Sequence, residues 1–337
     1  MFAFKQNISI LCTTVAALTI LWSCGTTPAE HLVIDGEALG TFVQVKCSDE
    51  ATSDQVVNLI KRVDKEAKAS MSIFDNESLL SRLNRNATDS LDYHIERVLR
   101  LAEDFTELSG GAYDVTIKPL TEAWGFAGKS NNGTSPNVDS LLTFVGMEKI
   151  AICDGRLIKE DYRTQLDFNS IAKGYVVDLI AEELESMGVK NYMVNIGGEI
   201  RCHGLNARGG RWSIGIETPY DGNMAMADYQ KIIHVEECGV ATSGNYRRYY
   251  LSDDGRKVAH TIDPRSGYSA VSDLLSVTVI APTCAEADAA ATMFLSMGSE
   301  GGALELAQRC ESEFGWNYYF IYASGEEYRI ECSERFK

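Results

Sequence analysis

The sequence predicts a mixed fold of the α+β class. Four segments place apolar residues at three- and four-residue spacing, the pattern of helices that bury one face, and they are residues 54–69, 94–109, 171–187 and 285–297. Runs rich in β-branched residues between them predict strands at residues 41–46, 192–196, 212–216 and 275–280. The chain has no strict alternation of strand and helix, no G-x-G-x-x-G motif and no P-loop, so dinucleotide-binding and Walker-type folds have no support.

The amino terminus differs from the rest of the chain and predicts export. Lys5 precedes an apolar run over residues 8–22, which is shorter than a comfortable membrane span of about 20 residues. Cys24 follows in the sequence Leu-Trp-Ser-Cys, which resembles a bacterial lipobox whose cysteine is lipidated. The expected location is a bacterial membrane, facing the periplasm; plain secretion and an uncleaved anchor are the alternatives. The expected parts are a signal peptide at residues 1–23, a lipid-anchored linker at 24–30 and one folded domain at 31–337.

Composition limits the partners of this domain. The chain has 337 residues and a formal net charge of −17, so it repels the backbone of nucleic acids, which we exclude as partners. A phosphate-bearing ligand would need a metal or a local basic cluster. Seven cysteines remain after Cys12 and Cys24 are set aside, and none forms a C-x-x-C pair, which argues against zinc. The odd number leaves at least one free thiol, and the wide spacing indicates small core residues rather than a disulfide framework.

Lys173 and Gly174 stand near the amino terminus of the third predicted helix. Backbone N–H groups and the positive end of the helix dipole attract anions at such a place. Lys173 adds a positive charge, and Gly174 permits a ligand to approach the backbone closely. The position suits a phosphate site, but the pattern alone is more typical of a surface lysine beside a glycine required for packing.

Three further stretches contain candidate binding groups. Gly197 and Gly198 end an apolar strand, where they form a tight turn or leave room for a flat ligand. Residues 241–249 combine small polar residues with arginines and tyrosines that could hold a diphosphate and stack a ring, unless they form an ordinary hairpin loop. His260, close to Asp263, is a candidate general base because histidine titrates near neutral pH, although a lone histidine is more often structural.

Residues 283–292 indicate a metal site. Thr283 and Glu286 stand in capping-box positions at the start of an alanine-rich helix. Asp288 and Thr292 lie four residues apart on one face of that helix, so their oxygens can converge on one point. A carboxylate and a hydroxyl are hard ligands that suit Mg²⁺. The alternative is a solvated aspartate and a threonine that packs its methyl group.

Taken in chain order, these stretches resemble the ApbE family, the FAD:protein FMN transferases. The resemblance runs from residue 39 to residue 298; each piece alone is weak, whereas the complete series is specific. The matching pieces are Gly40-Thr41; Ser72 to Phe74 with Ser78, Ser81 and Asn84; Tyr113 to Thr116 with Pro119, Leu120 and Trp124 to Phe126; Asp167; Ile171 to Gly174; Asn195 to Gly198; Ala241 to Gly244; His260 with Ile262 to Pro264; and Asp288 with Thr292.

The resemblance implies an activity, an architecture and a set of site residues. The family transfers the FMN half of FAD to a threonine hydroxyl of an acceptor protein, forming a phosphoester bond and releasing AMP. The implied architecture has predominantly antiparallel sheets flanked by helices, with FAD in a cleft between lobes. The implied acceptor is an exported or membrane redox subunit.

Particular residues are implied for each role by the same resemblance. Mg²⁺, or Mn²⁺ in its place, would bind the Asp288 carboxylate, the Thr292 hydroxyl and the backbone carbonyl of Ala172. The implied catalytic residues are His260 and Asp288. The positions implied to bind FAD are Ser72, Phe74, Tyr113, Asp114, Lys173, Gly197, Gly198, Thr242, Ser243, Gly244, Tyr246 and Asp263.

Three other functions remain open from the sequence. Water in place of the threonine would make the protein an FAD pyrophosphatase that releases FMN and AMP. A protein without turnover would be a flavin-binding lipoprotein that stores or delivers FAD. The third is a penicillin-recognising serine enzyme, because three motifs of this chain mimic the order of motifs in that class: Ser170-x-x-Lys173, Ser243-Gly-Asn245 and Arg265-Ser-Gly267. That class leaves the candidate metal ligands and His260 without a role.

Overall fold

The computed structural model describes residues 31–127, 135–220, 228–246, 249–252, 255, 257–270, 272–325 and 327–336. The strands are β1 (Leu32–Ala38), β2 (Thr41–Cys47), β3 (Ile150–Cys153), β4 (Arg156–Lys159), β5 (Tyr192–Ile196), β6 (Glu199–His203), β7 (Trp212–Glu217), β8 (Tyr229–Val235), β9 (Cys238–Gly244), β10 (Tyr249–Leu251), β11 (Lys257–Ala259), β12 (Leu274–Ala281), β13 (Asn317–Ser324) and β14 (Glu327–Cys332). The helices are α1 (Ser53–Met71), α2 (Leu79–Asn84), α3 (Tyr93–Ser109), α4 (Lys118–Ala123), α5 (Val138–Leu142), α6 (Ala172–Ser186), α7 (Cys284–Met297) and α8 (Ala303–Phe314), with short 3₁₀ helices at Met147–Lys149 and Glu334–Phe336.

The signal peptide and linker predicted for residues 1–30 lie outside the described residues. None of the helices in the described ranges has the length and apolar character that a bilayer span requires. Lipid anchoring and export therefore stay predictions from the sequence.

An antiparallel sheet of eight strands organises the domain. Its strand order is β1-β2-β5-β6-β9-β12-β13-β14, and every neighbouring pair is antiparallel. Three two-stranded hairpins, β3-β4, β7-β8 and β10-β11, lie outside this sheet in the described part of the chain. The predicted α+β class and the predominantly antiparallel pairing are confirmed.

The two faces of the large sheet bury different layers. One face packs against the helices, and Val194 and Val277 of the sheet share that core with Phe294 of α7. On the opposite face, Ile200 of β6 packs with Trp212 of the β7-β8 hairpin. Side chains alternate between the faces along a strand, so the central strands need apolar residues at successive positions. Helices therefore flank one face, and a β-hairpin covers the centre of the other.

The predicted elements are present, and the structure adds several that the periodicity did not reveal. The helices α1, α3, α6 and α7 and the strands β2, β5, β7 and β12 match their predicted ranges closely. The alternative of a hairpin loop over residues 241–249 is corrected for residues 241–244, which belong to strand β9. Thr242 and Ser243 are register partners of Thr278 and Val277 in β12, so pairing along the strand compensates for the weak strand preference of small polar residues.

Helices α6 and α7 approach each other closely at Gly174. The Gly174 N–H donates a hydrogen bond to Asp288 Oδ2 at 3.0 Å. A Cβ atom at position 174 would lie 2.4 Å from the Cys284 carbonyl oxygen and 2.8 Å from the Asp288 Cβ. The sequence left two roles open for Gly174, a close approach of a ligand or helix packing, and the structure supports packing, because the glycine makes room for α7.

Two carboxylates, one from Glu286 within α7 and one from Asp178 of α6, bind the backbone N–H groups at the start of α7. The predicted capping box is present, since Thr283 Oγ1 accepts from the Glu286 N–H at 3.2 Å and Glu286 Oε2 accepts from the Thr283 N–H at 3.0 Å. Asp178 of α6 accepts the first two backbone N–H groups of α7 at 2.9 and 2.8 Å. Arg201 of β6 binds the same carboxylate at 2.9 Å. These bonds fix α7 against α6 and the sheet.

The substitution Gly174→Ala is expected to lower the free energy of unfolding by about 2 kcal/mol or more, because overpacking a tight helix contact costs about this much. Urea denaturation followed by circular dichroism measures the change. The matched control is Gly36→Ala, whose added Cβ meets nothing closer than a Val43 side-chain carbon at 3.5 Å. Equal unfolding midpoints for the two variants would contradict the close approach of α6 and α7.

Candidate active site

Polar side chains from α6, β6 and α7 meet at one place. Lys173, in the first turn of α6, forms an ion pair with Glu199, the first residue of β6. Burial lowers the pKa of Lys173, but the nearby carboxylates of Glu199 and Asp288 outweigh burial and raise it above its ordinary value. We call Lys173, Glu199 and Asp288 the acidic cluster, because the two carboxylates outnumber the one ammonium group.

Asp288 of α7 ionises near neutral pH. Burial is the main cause and raises its pKa from the ordinary 3.8 to about 7. Lys173 and the Gly174 N–H lower the pKa, whereas the charge of Glu199 raises it. With both acids ionised the acidic cluster has an excess of one negative charge, in a place where only 4% of Asp288 is exposed. The cluster therefore favours the binding of a cation.

Glu199 is the site residue that sequence reasoning missed. It is only 3% exposed, and one carboxylate oxygen pairs with Lys173. The other oxygen, Oε2, is buried and makes no hydrogen bond to any residue in the described ranges. Its own strand gave no signal, because Glu199 alternates with the apolar Ile200 and Cys202 and shares a face with Arg201, a pattern that predicts an exposed acid.

The two glycines before Glu199 form a tight turn between β5 and β6. Gly197 and Gly198 have φ of 64° and 111°, which residues with a side chain rarely adopt. The Gly198 N–H donates to Asn195 Oδ1 at 3.0 Å and closes the turn. The turn interpretation is confirmed, and the turn places Glu199 opposite Lys173.

Thr292 lies one helical turn beyond Asp288 and contacts the sheet. Its hydroxyl is 3.1 Å from Ser243 Oγ of β9. Thr242, the neighbouring residue, points to the other face of the sheet, where its hydroxyl is 2.8 Å from Thr278 Oγ1. The structure therefore brings Ser243 to the candidate site with Asp288 and Thr292, and it places Thr242 on the opposite face.

Tyr113 and Asp114 are adjacent in sequence but take part in different contacts. The Tyr113 hydroxyl accepts a hydrogen bond from Ser170 at 2.9 Å, and burial raises the pKa of this tyrosine, with the charge of Asp288 adding to the effect. Asp114 accepts bonds from the Thr116 N–H at 2.7 Å and the Met147 N–H at 2.8 Å. Tyr113 thus lies near the acidic cluster, whereas the Asp114 carboxylate joins two loops inside the fold.

The same contacts bear on the serine-enzyme alternative. The Ser170 hydroxyl donates a hydrogen bond to Tyr113, and Lys173 is paired with Glu199. No Ser170–Lys173 hydrogen bond is present among these described contacts, so the pair lacks the arrangement that activates a nucleophilic serine.

The remaining predicted positions lie in turns. Ser72 caps the end of α1 and accepts the Phe74 N–H at 3.1 Å, and Phe74 is 66% exposed. Gly244, at the end of β9, lies against the ring of Tyr246, which a Cβ atom would approach to 2.5 Å. Phe74 is therefore an exposed aromatic side chain just beyond α1, and Tyr246 is a buried one just beyond β9.

His260 and Asp263 have different neighbours. The Asp263 carboxylate binds Arg265 through the side-chain Nε and Nη2 atoms, both at 3.0 Å. His260 is half-buried, and its ring packs edge-on against Phe126 with centroids 6.4 Å apart. The aspartate close in sequence is therefore engaged by an arginine.

The donor groups at the acidic cluster fit a hard cation. Within the described ranges, no group of three or more His, Cys, Asp or Glu side chains could hold a metal ion. The set expected from the sequence is of another kind, with one carboxylate from Asp288, one hydroxyl from Thr292 and one backbone carbonyl from Ala172. Such oxygen donors suit Mg²⁺, which keeps several waters or phosphate oxygens. The excess negative charge at Asp288 and Glu199 agrees with this chemistry.

Comparison with solved structures gives the class of protein. The flavin transferase ApbE of Vibrio cholerae superposes with a TM-score of 0.81 at 31% sequence identity, over 92% of this chain and 99% of that chain. The apo form of a Pseudomonas stutzeri flavinyl transferase ApbE gives a TM-score of 0.80 at 29% identity, over 91% of this chain and 96% of that one. The fold is that of the flavin transferases.

Sequence comparison gives the family. The ApbE family pattern matches residues 39–314. The FAD:protein FMN transferase of Haemophilus influenzae is 36% identical over 292 residues, which cover 82% of this chain and 83% of the relative. The enzyme of the same name from Vibrio cholerae is 35% identical over 297 residues, 86% and 87% of the two chains. The chain belongs to the ApbE family, as the order of its motifs indicated.

The substitution Asp288→Asn is expected to flatten the dependence of stability on pH. The folded protein holds this proton up to about pH 7, whereas the unfolded chain loses it near the ordinary pKa of 3.8. Between these values the folded state binds more protons, so the free energy of unfolding falls as pH rises, and asparagine removes that contribution.

Urea denaturation in the presence of EDTA, at several pH values between about 4 and 8, measures the slope. Asp104→Asn, on the exposed side of α3, is the control and should keep the wild-type slope. A slope in Asp288→Asn equal to that of the wild type would show that Asp288 titrates as an ordinary carboxylate.

Proposed function

We propose that this protein transfers the FMN half of FAD to a threonine of an exported or membrane-bound acceptor protein and releases AMP. The observation that carries the proposal is the acidic cluster at the amino terminus of α6, with Thr292 beside it. The names of the curated relatives support the transfer of FMN from FAD to a protein. The threonine, the release of AMP and the metal come from the family resemblance of the motifs.

The amino terminus of α6 provides the groups for a diphosphate. Ile171 stands at the N-cap position and has no polar side chain to cap the helix. The Ala172 N–H donates to the Phe168 carbonyl at 2.8 Å and the Gly174 N–H to Asp288 Oδ2 at 3.0 Å, so the attraction for phosphate oxygens at this end comes mainly from the helix dipole and from the Lys173 ammonium group in the same turn. We propose that the FAD diphosphate binds here, in a cleft between lobes, with the Gly197-Gly198 turn beside it.

A divalent cation would complete the charge balance of this site. We propose that the Asp288 carboxylate, the Thr292 hydroxyl and the Ala172 carbonyl hold Mg²⁺, with Mn²⁺ as the alternative. When bound, the ion neutralises the charge of the diphosphate and orients it. The buried excess of negative charge at Asp288 supports this assignment, because a cation there offsets the cost of ionising the group.

The chemical step is a substitution at the phosphorus on the FMN side of FAD. The threonine oxygen of the acceptor forms a bond to this phosphorus, and the bond to the AMP oxygen breaks. We assign to His260 the removal of the threonine proton and to Lys173 the stabilisation of charge on the diphosphate oxygens. Positioning and charge stabilisation account for most of the rate in reactions of this kind.

The proposed location follows from the first 24 residues. A signal peptide at residues 1–23 would bring the protein across the membrane, and lipidation of Cys24 would keep it there. The linker at residues 24–30 would then hold the domain within reach of membrane-bound redox subunits. The apolar run over residues 8–22 and the lipobox-like sequence support this location.

The test is an assay of the purified protein with FAD and Mg²⁺, with and without a threonine-bearing acceptor from the same organism. AMP release is measured by chromatography, and the mass of the acceptor by mass spectrometry. Transfer predicts an acceptor mass gain equal to FMN and AMP release only with acceptor. FMN and AMP without acceptor would identify a pyrophosphatase, and intact bound FAD would identify a flavin carrier.

In the same assay, Asp288→Ala is expected to lower the rate by about 100-fold or more, because a metal ligand contributes several kcal/mol to a charged transition state. EDTA should abolish the wild-type rate, and added Mg²⁺ should restore it. Asp104→Ala, on the exposed side of α3, is the control and should keep the wild-type rate. A normal Mg²⁺-dependent rate in Asp288→Ala would refute the site assignment.

His260→Ala is expected to lower kcat by about 10²–10⁴-fold with little change in FAD affinity, the usual effect of removing a general base. Steady-state kinetics gives kcat, and fluorescence quenching of FAD gives the affinity. His234→Ala is the control, since this histidine lies on β8 and contacts Ser213 Oγ at 3.1 Å. If His260→Ala weakens FAD binding and leaves kcat intact, His260 is a binding residue.

A further inference from the structure

Two cysteines face each other across neighbouring strands of the large sheet. Cys202 of β6 and Cys238 of β9 are register partners in an antiparallel pair. They are 1% and 4% exposed and both belong to the core beneath the β7-β8 hairpin, so their side chains point to the same face. The Cys202 sulfur lies 3.8 Å from the Cys238 carbonyl oxygen, and both residues are thiols in the structure.

This placement is compatible with a disulfide bond. Directly opposed residues in an antiparallel pair have Cα atoms about 4.5–5.5 Å apart, within the range of about 4.4–6.8 Å that disulfides span. Of the seven cysteines in the described ranges, only these two are opposite each other in a strand pair.

The bond would strengthen the pairing of β6 with β9, which is the shortest strand pairing in the eight-stranded sheet. Three register pairs connect β6 to β9, whereas the other neighbouring strands of the eight-stranded sheet share five to seven. Both strands reach the candidate active site, since β6 begins at Glu199 and β9 contains Ser243. A covalent link here would also close the chain excursion that forms the β7-β8 hairpin.

We propose that Cys202 and Cys238 form a disulfide bond that clamps β6 to β9 in the mature protein. The oxidant is a disulfide, from a protein or a small thiol compound. The Cys238 thiolate attacks this disulfide and releases one thiolate of the oxidant. The Cys202 thiolate then attacks the mixed bond at Cys238 and releases the second, so that two electrons pass from the pair to the oxidant and both protons go to solvent.

Burial sets the time at which the bond forms. Both sulfurs are covered once the β7-β8 hairpin has packed on the sheet, so the oxidant reaches them during folding. The export proposed above would bring the folding chain to a compartment where disulfide oxidants act. The proposal does not depend on the transfer reaction, and a failure of one leaves the other untouched.

The test is peptide mapping. The full-length protein is produced with export, solubilised in detergent and alkylated in denaturant without reductant before it is digested. The expected result is one linked pair of peptides that contain Cys202 and Cys238, with a mass lower by two hydrogen atoms. Alkylation of both residues, or links only to other cysteines, would overturn the proposal.

A second measurement compares the melting temperature with and without dithiothreitol. Reduction is expected to lower the wild-type Tm by about 5 °C, the effect of opening a loop of this size. Cys202→Ala and Cys238→Ala should lose this response, and Cys310→Ala, a buried cysteine on α8, should keep it. An equal response in all three variants would mean that another bond is being reduced and would overturn the assignment.

Discussion

The contact between Gly174 of α6 and Asp288 of α7 is the constraint on which the candidate active site depends. Because position 174 has no side chain, the two helices approach closely enough for a backbone N–H of one to bind a carboxylate of the other. Asp178 fixes the start of α7 in the same orientation, and Arg201 connects that carboxylate to the sheet. The metal-ligand candidates on α7 and the proposed phosphate-binding end of α6 are thereby held in a fixed position relative to each other.

The sequence revealed the parts of this site that depend on local spacing. Asp288 and Thr292 could be paired because helical residues four apart share a face, and the capping box marked the start of that helix. The four longest helices were evident from their periodicity for the same reason. The role of Gly174 could not be decided locally, since its environment is made by residues more than a hundred positions away along the chain.

Long-range pairing determines what the sequence could not reveal. Glu199 becomes a site residue because a turn places it opposite Lys173, and Thr242 leaves the site because the register of β9 with β12 points it to the other face. Both facts depend on pairing in a sheet in which three of the seven neighbouring strand pairs, β2-β5, β6-β9 and β9-β12, are not consecutive in sequence. Small polar residues such as Ser243 are typical of a loop in the sequence alone, and their place in a strand becomes evident only when the two neighbouring strands are known.

The same geometry connects stability to ligand binding. A carboxylate that is buried beside a second acid, with only one lysine between them, is costly to ionise, so the protein without ligands keeps Asp288 protonated up to about pH 7 and carries its charge above that pH at a cost in folding free energy. A cation that binds there removes that cost, and its binding energy then adds to the stability of the fold. Asp288, the proposed metal ligand, is therefore also the residue through which a bound cation would stabilise the packing of α6 against α7. Gly174 and Asp178 fix α7 against α6 and so keep Asp288 buried; this burial holds its pKa raised even though the Gly174 N–H lowers it.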